Sequence, residues 1–191
     1  PKAAARLAAL VEAAGNTVGT GFLSTGQLLP VLADHGHASA ALALLRSHRA
    51  PSWLTMLDRG ATTMWERWDG VDDGSARGSL NHYSKGAVAS FLHTHLVGLR
   101  LPEFPRPDEA GYRVIRVAPT PVPGITSAST RQHTAQGPLT ISWRADPQKS
   151  FTLDVDLPAG TVAEATLPDG GVHRLTGRAR LTAPLTARKG R

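Results

Sequence analysis

Apolar residues recur at helical spacing from residue 2 to about residue 100 and at two-fold spacing afterwards, which predicts a helical half followed by a strand half. Leu7, Leu10, Val11 and Ala14 stand at i, i+3, i+4 and i+7, and Gly15 follows as a stop, so the opening residues read as a helix already under way. A second helix is expected from about Thr25 to His35, with Pro30 tolerable only near its first turn and Gly36 closing it. A third covers Ala38 to His48 and ends before Ala50-Pro51. Ser52 caps a short helix through Trp53, Leu54 and Leu57, stopped at Gly60. Val88, Phe91, Leu92, His95, Leu96 and Leu99 form the clearest stripe, predicting one long helix from Ser84 to about Gly98. Between Trp68 and Asn81, VDDGSARGSL has no periodicity and reads as a loop.

Residues 101–111, LPEFPRPDEAG, have linker composition, with three prolines, two acids after the first proline pair and a glycine. Beyond them Phe151, Leu153, Val155 and Leu157 alternate with Thr152, Asp154 and Asp156, the pattern of a strand with one wet face. Leu139, Ile141 and Trp143 alternate with Thr140, Ser142 and Arg144 in the same way. Tyr112 to Ala118, Thr161 to Leu167 and Val172 to Leu175 are weaker strands, and Pro168-Asp169-Gly170-Gly171 is a turn signal between the last two. Short strands at this spacing predict a small antiparallel sandwich.

At 191 residues with 41% hydrophobic content the chain is long enough to bury a sizeable core. No apolar run reaches the ~18 residues that would cross a bilayer, so no membrane role is expected. The absence of cysteine rules out disulfides and thiolate metal ligands and leaves the compartment open between cytoplasm and exterior. The net charge of +6 is uneven: residues 1–104 hold 9 basic against 8 acidic side chains, residues 105–191 hold 12 against 7. Arg174, Arg178, Arg180, Arg188, Lys189 and Arg191 follow the last acid, Asp169. A solvated, partly frayed tail explains them at least as well as a phosphate-binding surface, and no nucleic-acid partner is expected.

The densest candidate chemistry is Ala61-Thr62-Thr63-Met64-Trp65-Glu66-Arg67-Trp68-Asp69-Gly70, where one carboxylate sits between two indoles although only 5% of the chain is aromatic. A sugar site needs an acid or base beside flat apolar surfaces, because a pyranose offers C–H faces for stacking and hydroxyls for hydrogen bonds. The same ten residues equally fit two core tryptophans with Glu66 in solvent. Metal chemistry is not expected. His93 and His95, two apart on a helix, diverge by about 200°, and His35 and His37 have no convincing third ligand nearby. No phosphate loop, nucleophile elbow or dinucleotide fingerprint is present, and no cofactor is implied.

Taken in order, TGFLSTGQLLPVLADHG, PSWLTMLDRGATTMWERWDG, LNHYSKGAVASFLH and GYRVIRVAP resemble the C-terminal part of bacterial α-L-rhamnosidases of the inverting type, over about residues 16–160. The resemblance implies an α+β multidomain chain. Residues 1–101 would be the C-terminal part of an (α/α) six-fold barrel, 102–111 a linker, and 112–191 a small antiparallel β-sandwich with a basic tail. By position Glu66 corresponds to the general base, and the resemblance implies that His82 of Asn81-His82-Tyr83 helps hold rhamnose. Trp65 and Trp68 would line the sugar pocket, where the methyl of a 6-deoxy sugar rewards an apolar wall. Trp53 is a third wall or plain core. Gly21 and Thr25 match the family's Thr-Gly-Phe-Leu segment, which either approaches the site or serves only a tight turn. The family's general acid lies in an earlier segment with no counterpart here, so the chain is expected to be a C-terminal fragment, inactive alone, whose missing N-terminal barrel half is its partner. Its substrates would be rhamnose-containing glycosides. A non-catalytic carbohydrate-binding module, with Trp143 as platform, is the alternative, although the strand pattern with Leu139 and Ile141 turns Trp143 to the core.

Overall fold

The computed structural model of the protein describes residues 1–146 and 150–185; Arg188, Lys189 and Arg191 of the basic tail lie outside the described residues. The chain divides into two compact units, Pro1–Phe91 and Leu92–Arg191. Among the described residues no helix is long and apolar enough to cross a membrane.

In the first unit α1 spans Lys2–Ala13, α2 Phe22–Asp34, α3 Ala38–Leu45 and α4 Trp53–Asp58. α2 is the centre of the unit, packing on α1 and α3. It starts earlier than the sequence predicts, so Pro30 falls well inside it rather than in its first turn. Burial of Leu28, Leu29 and Leu32 on its inner face outweighs the hydrogen bond that a mid-helix proline forfeits. The stripe expected on α1 is only partly realised: Val11 and Ala4 are buried, whereas Leu10 is 49% exposed. α4 begins as predicted, with the Ser52 hydroxyl accepting from Thr55 N at 3.2 Å.

The aperiodic segment after Trp68 is not a plain loop. β1, Val71–Asp72, pairs antiparallel with β2, Ser75–Ala76, around Asp73 and Gly74. Both turn residues have positive φ, +47° and +78°, as a type I′ hairpin turn demands, so the Asp-Gly pair carried the signal and periodicity did not.

The single helix expected over Ser84–Gly98 is replaced by α5 (Tyr83–Gly86), α6 (Val88–Phe91) and a π-helical turn, Leu92–Val97. The turn belongs to the second unit, and its carbonyls are claimed from outside the helix. Thr94 O accepts from Arg100 Nε at 2.9 Å, His95 O from Thr120 N at 3.1 Å and Leu96 O from Trp143 Nε1 at 2.7 Å. Competition for those acceptors breaks the regular ladder. The boundary between compact units lies at Phe91/Leu92.

The second unit holds β3 (Leu99–Arg100), β4 (Val114–Val117), β5 (Ser127–Thr134), β6 (Gly137–Asp146), β7 (Ser150–Asp156), β8 (Val162–Thr166), β9 (Val172–Leu175) and β10 (Arg178–Ala183). They form two four-stranded sheets, ordered β10-β7-β6-β5 and β3-β4-β8-β9. Leu139, Ile141, Trp143, Phe151, Leu153 and Val155 of the first sheet share one buried cluster with Leu99, Ile115, Val117, Ala163 and Ala165 of the second. The alternation read from the sequence is therefore the burial pattern of β6 and β7.

Two expectations change here, and one alternative falls. The arrangement is not wholly antiparallel: β4 and β8 run parallel, Ile115 opposite Ala163. Residues 118–161 contain all three strands β5 to β7, and a crossover of that length lets the chain re-enter its sheet in the same direction. The basic residues after Asp169 are not simply a tail, because Arg178 and Arg180 lie on β10 and bond Asp156 at 2.7 Å and Asp154 at 2.6 Å on β7. Trp143 is 1% exposed and its N–H is spent on Leu96 O, so it offers no platform for a glycan.

Candidate active site

Glu66 lies in an irregular segment of the first unit, and the backbone around it is stapled at several points to the stretch that returns from the β1-β2 hairpin. Glu66 N donates to Ser79 O at 2.8 Å, His82 N to Met64 O at 2.7 Å and Arg77 N to Gly70 O at 2.7 Å. The Thr63 hydroxyl also donates to Leu80 O. Few residues here have regular secondary structure, yet most of the main-chain groups that would need partners have them.

These staples set one wall of a cleft of about 480 Å3 lined by Thr20, Gly21, Phe22, Arg59, Glu66, Arg67, Trp68, Asp69 and Lys85, with Ala50-Pro51 completing it. The Glu66 carboxylate is half-buried, and its Oε2 accepts from Ser79 N at 2.8 Å. The bond depends on Gly78, whose φ is +80° and whose missing Cβ would stand 2.9 Å from Oε2. On the opposite wall Gly21 and Phe22 open α2. The Thr25 hydroxyl donates to Gly21 O at 2.9 Å and meets the Thr20 hydroxyl at 3.0 Å, so the Thr-Gly-Phe-Leu segment lines the cleft and is braced from behind.

Arg67, adjacent to Glu66 in sequence, is turned to Asp69, with Nε to Oδ1 at 3.0 Å and Nη2 to Oδ2 at 3.2 Å; Arg77 adds a contact at 3.7 Å. The hydrogen bond from Arg67 holds the Asp69 carboxyl below its usual pKa, and Asp69 raises that of Arg67. The second carboxylate of the cleft is thus firmly ionised. Lys85 is the buried cation, 3% exposed. Its ammonium donates to the carbonyl of Glu66 and stands 4.9 Å from the centroid of Phe22 and 4.7 Å from that of Trp68. Burial pushes its pKa down, while the charge of Glu66 opposes that shift and Arg67 adds to it.

The three tryptophans of the unit take different places. Trp68 faces the cleft. Trp53 is 3% exposed and packs edge-on against Trp68 at 5.4 Å, with its Nε1 donating to Lys85 O at 2.9 Å. Trp65 turns into the core, 4% exposed, and its ring fills the space a side chain at Gly70 would occupy. His82 lies at the head of α5, stacked on Tyr83 at 5.0 Å and in tilted contact with Phe22 at 4.9 Å. Its Nδ1 accepts from Ser84 N at 3.3 Å, which caps the helix and puts the ring proton on Nε2. Glu66 and Trp68 therefore line one cleft, whereas His82 is outside its lining and touches Phe22, Trp53 packs against Trp68, and Trp65 is buried in the core.

Lys85, Gly78 and Ser79 were not marked by sequence reasoning. A lysine inside LNHYSKGAV reads as a solvated helix residue, and its apolar neighbours give no signal, since Tyr83 is exposed while Val88 is buried. A glycine-serine pair in a hairpin arm carries no signal of its own.

Residues 1–96 match the model of the bacterial alpha-L-rhamnosidase 6 hairpin glycosidase domain, and residues 99–181 that of the bacterial alpha-L-rhamnosidase C-terminal domain. An α-L-rhamnosidase of Streptomyces avermitilis is 39% identical over 173 residues, which cover 87% of this chain and 16% of that protein. Among solved structures, S. avermitilis α-L-rhamnosidase complexed with L-rhamnose superposes with a TM-score of 0.83 at 34% identity, covering 95% of this chain and 19% of that one. Native α-L-rhamnosidase from Aspergillus terreus gives 0.85 at 32%, covering 95% and 21%. The chain spans about a sixth of the length of the curated relative it matches. With a family model covering just over half of its residues, the chain belongs to the bacterial α-L-rhamnosidase six-hairpin glycosidase family.

Proposed function

We propose that this chain is the C-terminal part of an α-L-rhamnosidase that removes terminal α-L-rhamnosyl residues with inversion, and that Glu66 is its general base. On this reading the helices of Pro1–Phe91 close the last part of an (α/α) six-fold barrel, and the two sheets form the trailing sandwich. The observation that supports it most is the hold on Glu66: Ser79 N takes Oε2 at 2.8 Å, which leaves Oε1 for a water in the cleft.

A general base must be ionised, positioned and within reach of its water. Trp68 supplies the apolar wall that suits a 6-deoxy sugar, with Trp53 and Trp65 supporting it, and His82 has an Nε2 proton to give to a sugar hydroxyl. Inversion needs a second carboxyl group, a proton donor ~6.5 to 9.5 Å from the base. Asp69 does not suit that task, because Arg67 holds it ionised. The acid then comes from the rest of the enzyme, the N-terminal barrel half, and these 191 residues alone turn nothing over.

The test is Glu66→Gln in the whole enzyme, assayed on an aryl α-L-rhamnoside with the first-formed anomer followed by NMR. Loss of a base costs about 10²- to 10⁴-fold in kcat, and the unsubstituted enzyme should release the β-anomer first. A variant that keeps its rate would remove Glu66 from the mechanism. Release of the α-anomer would remove inversion. Turnover by the isolated chain would show that the acid lies within it.

A further inference from the structure

Lys85 is a buried charge to which the proposed mechanism gives no work. A buried ammonium without a role is costly, since desolvation of the ion must be offset by specific partners. Its partners form a closed circuit. Trp53 Nε1 fixes the Lys85 carbonyl at 2.9 Å, and the Lys85 side chain returns past the faces of Phe22 and Trp68 to the carbonyl of Glu66. Trp68 in turn packs edge-on against Trp53. Phe22 belongs to α2, Trp53 to α4, Lys85 to α5, and Glu66 and Trp68 to the irregular segment. One ammonium therefore ties together the separate pieces of chain that make up the cleft.

We propose that Lys85 is a positioning residue of this site: it pins the main chain of Glu66 and the face of Trp68, so that carboxylate and apolar wall keep the spacing that the reaction requires. The inference rests on Glu66 being the base, and deepens that reading. Glu66 is then held on three sides, through its own N–H and its Oε2 by Ser79 and through its carbonyl by Lys85. The other staples of the segment do not reach the Glu66 carbonyl, and the Lys85 contact fixes that third point. Such a role acts on the transition state, because a carboxylate displaced by about 1 Å still tolerates a bound sugar but attacks poorly through its water. The charge matters as well as the hydrogen bond, because a cation is what the two aromatic faces attract.

Around the ammonium the charged groups are Glu66, Arg67 and Asp69 on the segment and Arg59 elsewhere in the cleft lining, with the titratable His82 imidazole at the head of its own helix. Lys85 is the lysine among them, and burial lowers its pKa. Its proton should therefore leave earlier on the alkaline side than that of an exposed lysine, and the contact with Glu66 O weakens with it.

The experiment uses the whole enzyme and an aryl α-L-rhamnoside, with Lys85→Met, Lys85→Arg and Glu66→Gln measured side by side. Lys85→Met should lower kcat about 10- to 100-fold with KM within about threefold, and Lys85→Arg should recover most of the loss. A Lys85→Met enzyme within about threefold of the parent in kcat overturns the proposal, as does a loss that Lys85→Arg leaves wholly unrepaired. Should Lys85→Met not fold, the pH profiles of the parent and of Lys85→Arg decide. The parent should lose kcat on the alkaline side, whereas a guanidinium keeps its proton and should flatten that limb; identical limbs overturn the proposal. Full activity in Glu66→Gln would instead sink the base assignment. Loss there beside a normal Lys85→Met would sink this inference alone.

Discussion

The two units order their interiors by different means. In Leu92–Arg191 the core is mainly apolar and follows from alternation, with Leu139, Ile141, Trp143, Phe151, Leu153 and Val155 all turned inward from two neighbouring strands, although His95, Thr130 and Thr161 are buried in that unit too. In Pro1–Phe91 the interior includes Thr25, Ser52, Ser84 and Lys85 as well as apolar side chains. Each of these polar groups is bonded to main chain of another segment or to its own helix start. A strand pair needs only period and register to place its side chains. A cleft needs irregular backbone held in one conformation, and that takes buried polar contacts. The first unit gives up regularity around its cleft, whereas the apolar cluster of the second is set by strand period and register.

The largest effect should therefore come from the sheet core. Trp143→Ala removes a side chain that is 1% exposed and leaves Leu96 O without its indole donor, so the second unit should lose about 3 to 5 kcal/mol. Amide hydrogen exchange, followed peptide by peptide under native conditions, separates the units: protection should fall across residues 92–185 and hold in α2 and α3. A loss below about 1 kcal/mol, or one spread evenly over both units, would break the contrast drawn between them.

The cleft should respond to a change too small to matter in a sheet. Gly78→Ala adds one methyl, but at a φ of +80° and 2.9 Å from Glu66 Oε2, so the carboxylate or the segment must move. In the whole enzyme kcat should fall about a hundredfold, equivalent to about 2.7 kcal/mol, with KM changed far less. If kcat stays within about threefold, placement of the carboxylate does not depend on that backbone.

This contrast also explains what could be read from residues alone. β6, β7 and β8 were legible because burial on one face writes a two-residue period, and the helices α1, α2 and α4 because each is followed by a glycine of positive φ, Gly15, Gly36 and Gly60. β5 and β10 were not. They are the edges of their sheet, where SASTRQHT and RARLTA present mostly polar or half-buried positions and pairing comes from the neighbouring strand. The parallel placement of β4 against β8 was hidden for another reason, since topology over 118–161 leaves no local mark. At the site, Glu66, Trp68, Trp53 and His82 were visible as residue types in a motif. Trp65 looked equivalent to Trp68 but turns the other way, because the irregular segment has no period from which to infer a side-chain direction. Lys85 was invisible because a buried lysine and a surface lysine have the same letter.

The smallest effect separates two kinds of ion pair. Arg178 and Arg180 meet Asp156 and Asp154 across adjacent strands, where register already holds the partners together. Arg67 and Asp69 meet within an irregular turn, where the pair itself helps define the backbone. The folded-state pKa of Asp69 is depressed, so its contribution to stability is fully present above its unfolded pKa and is lost as pH falls through the lowered folded value. Asp69→Asn removes the ionisation. Melting curves of parent and variant should then differ by a constant amount near neutral pH and converge in acid, below the ordinary carboxylate range. Because both partners are solvent-exposed, the gap should be small and should shrink with added salt. A gap that persists unchanged into acid would mean that Asp69 shapes the turn through its hydrogen bonds without its charge, and the pair would then resemble the strand-held ones after all.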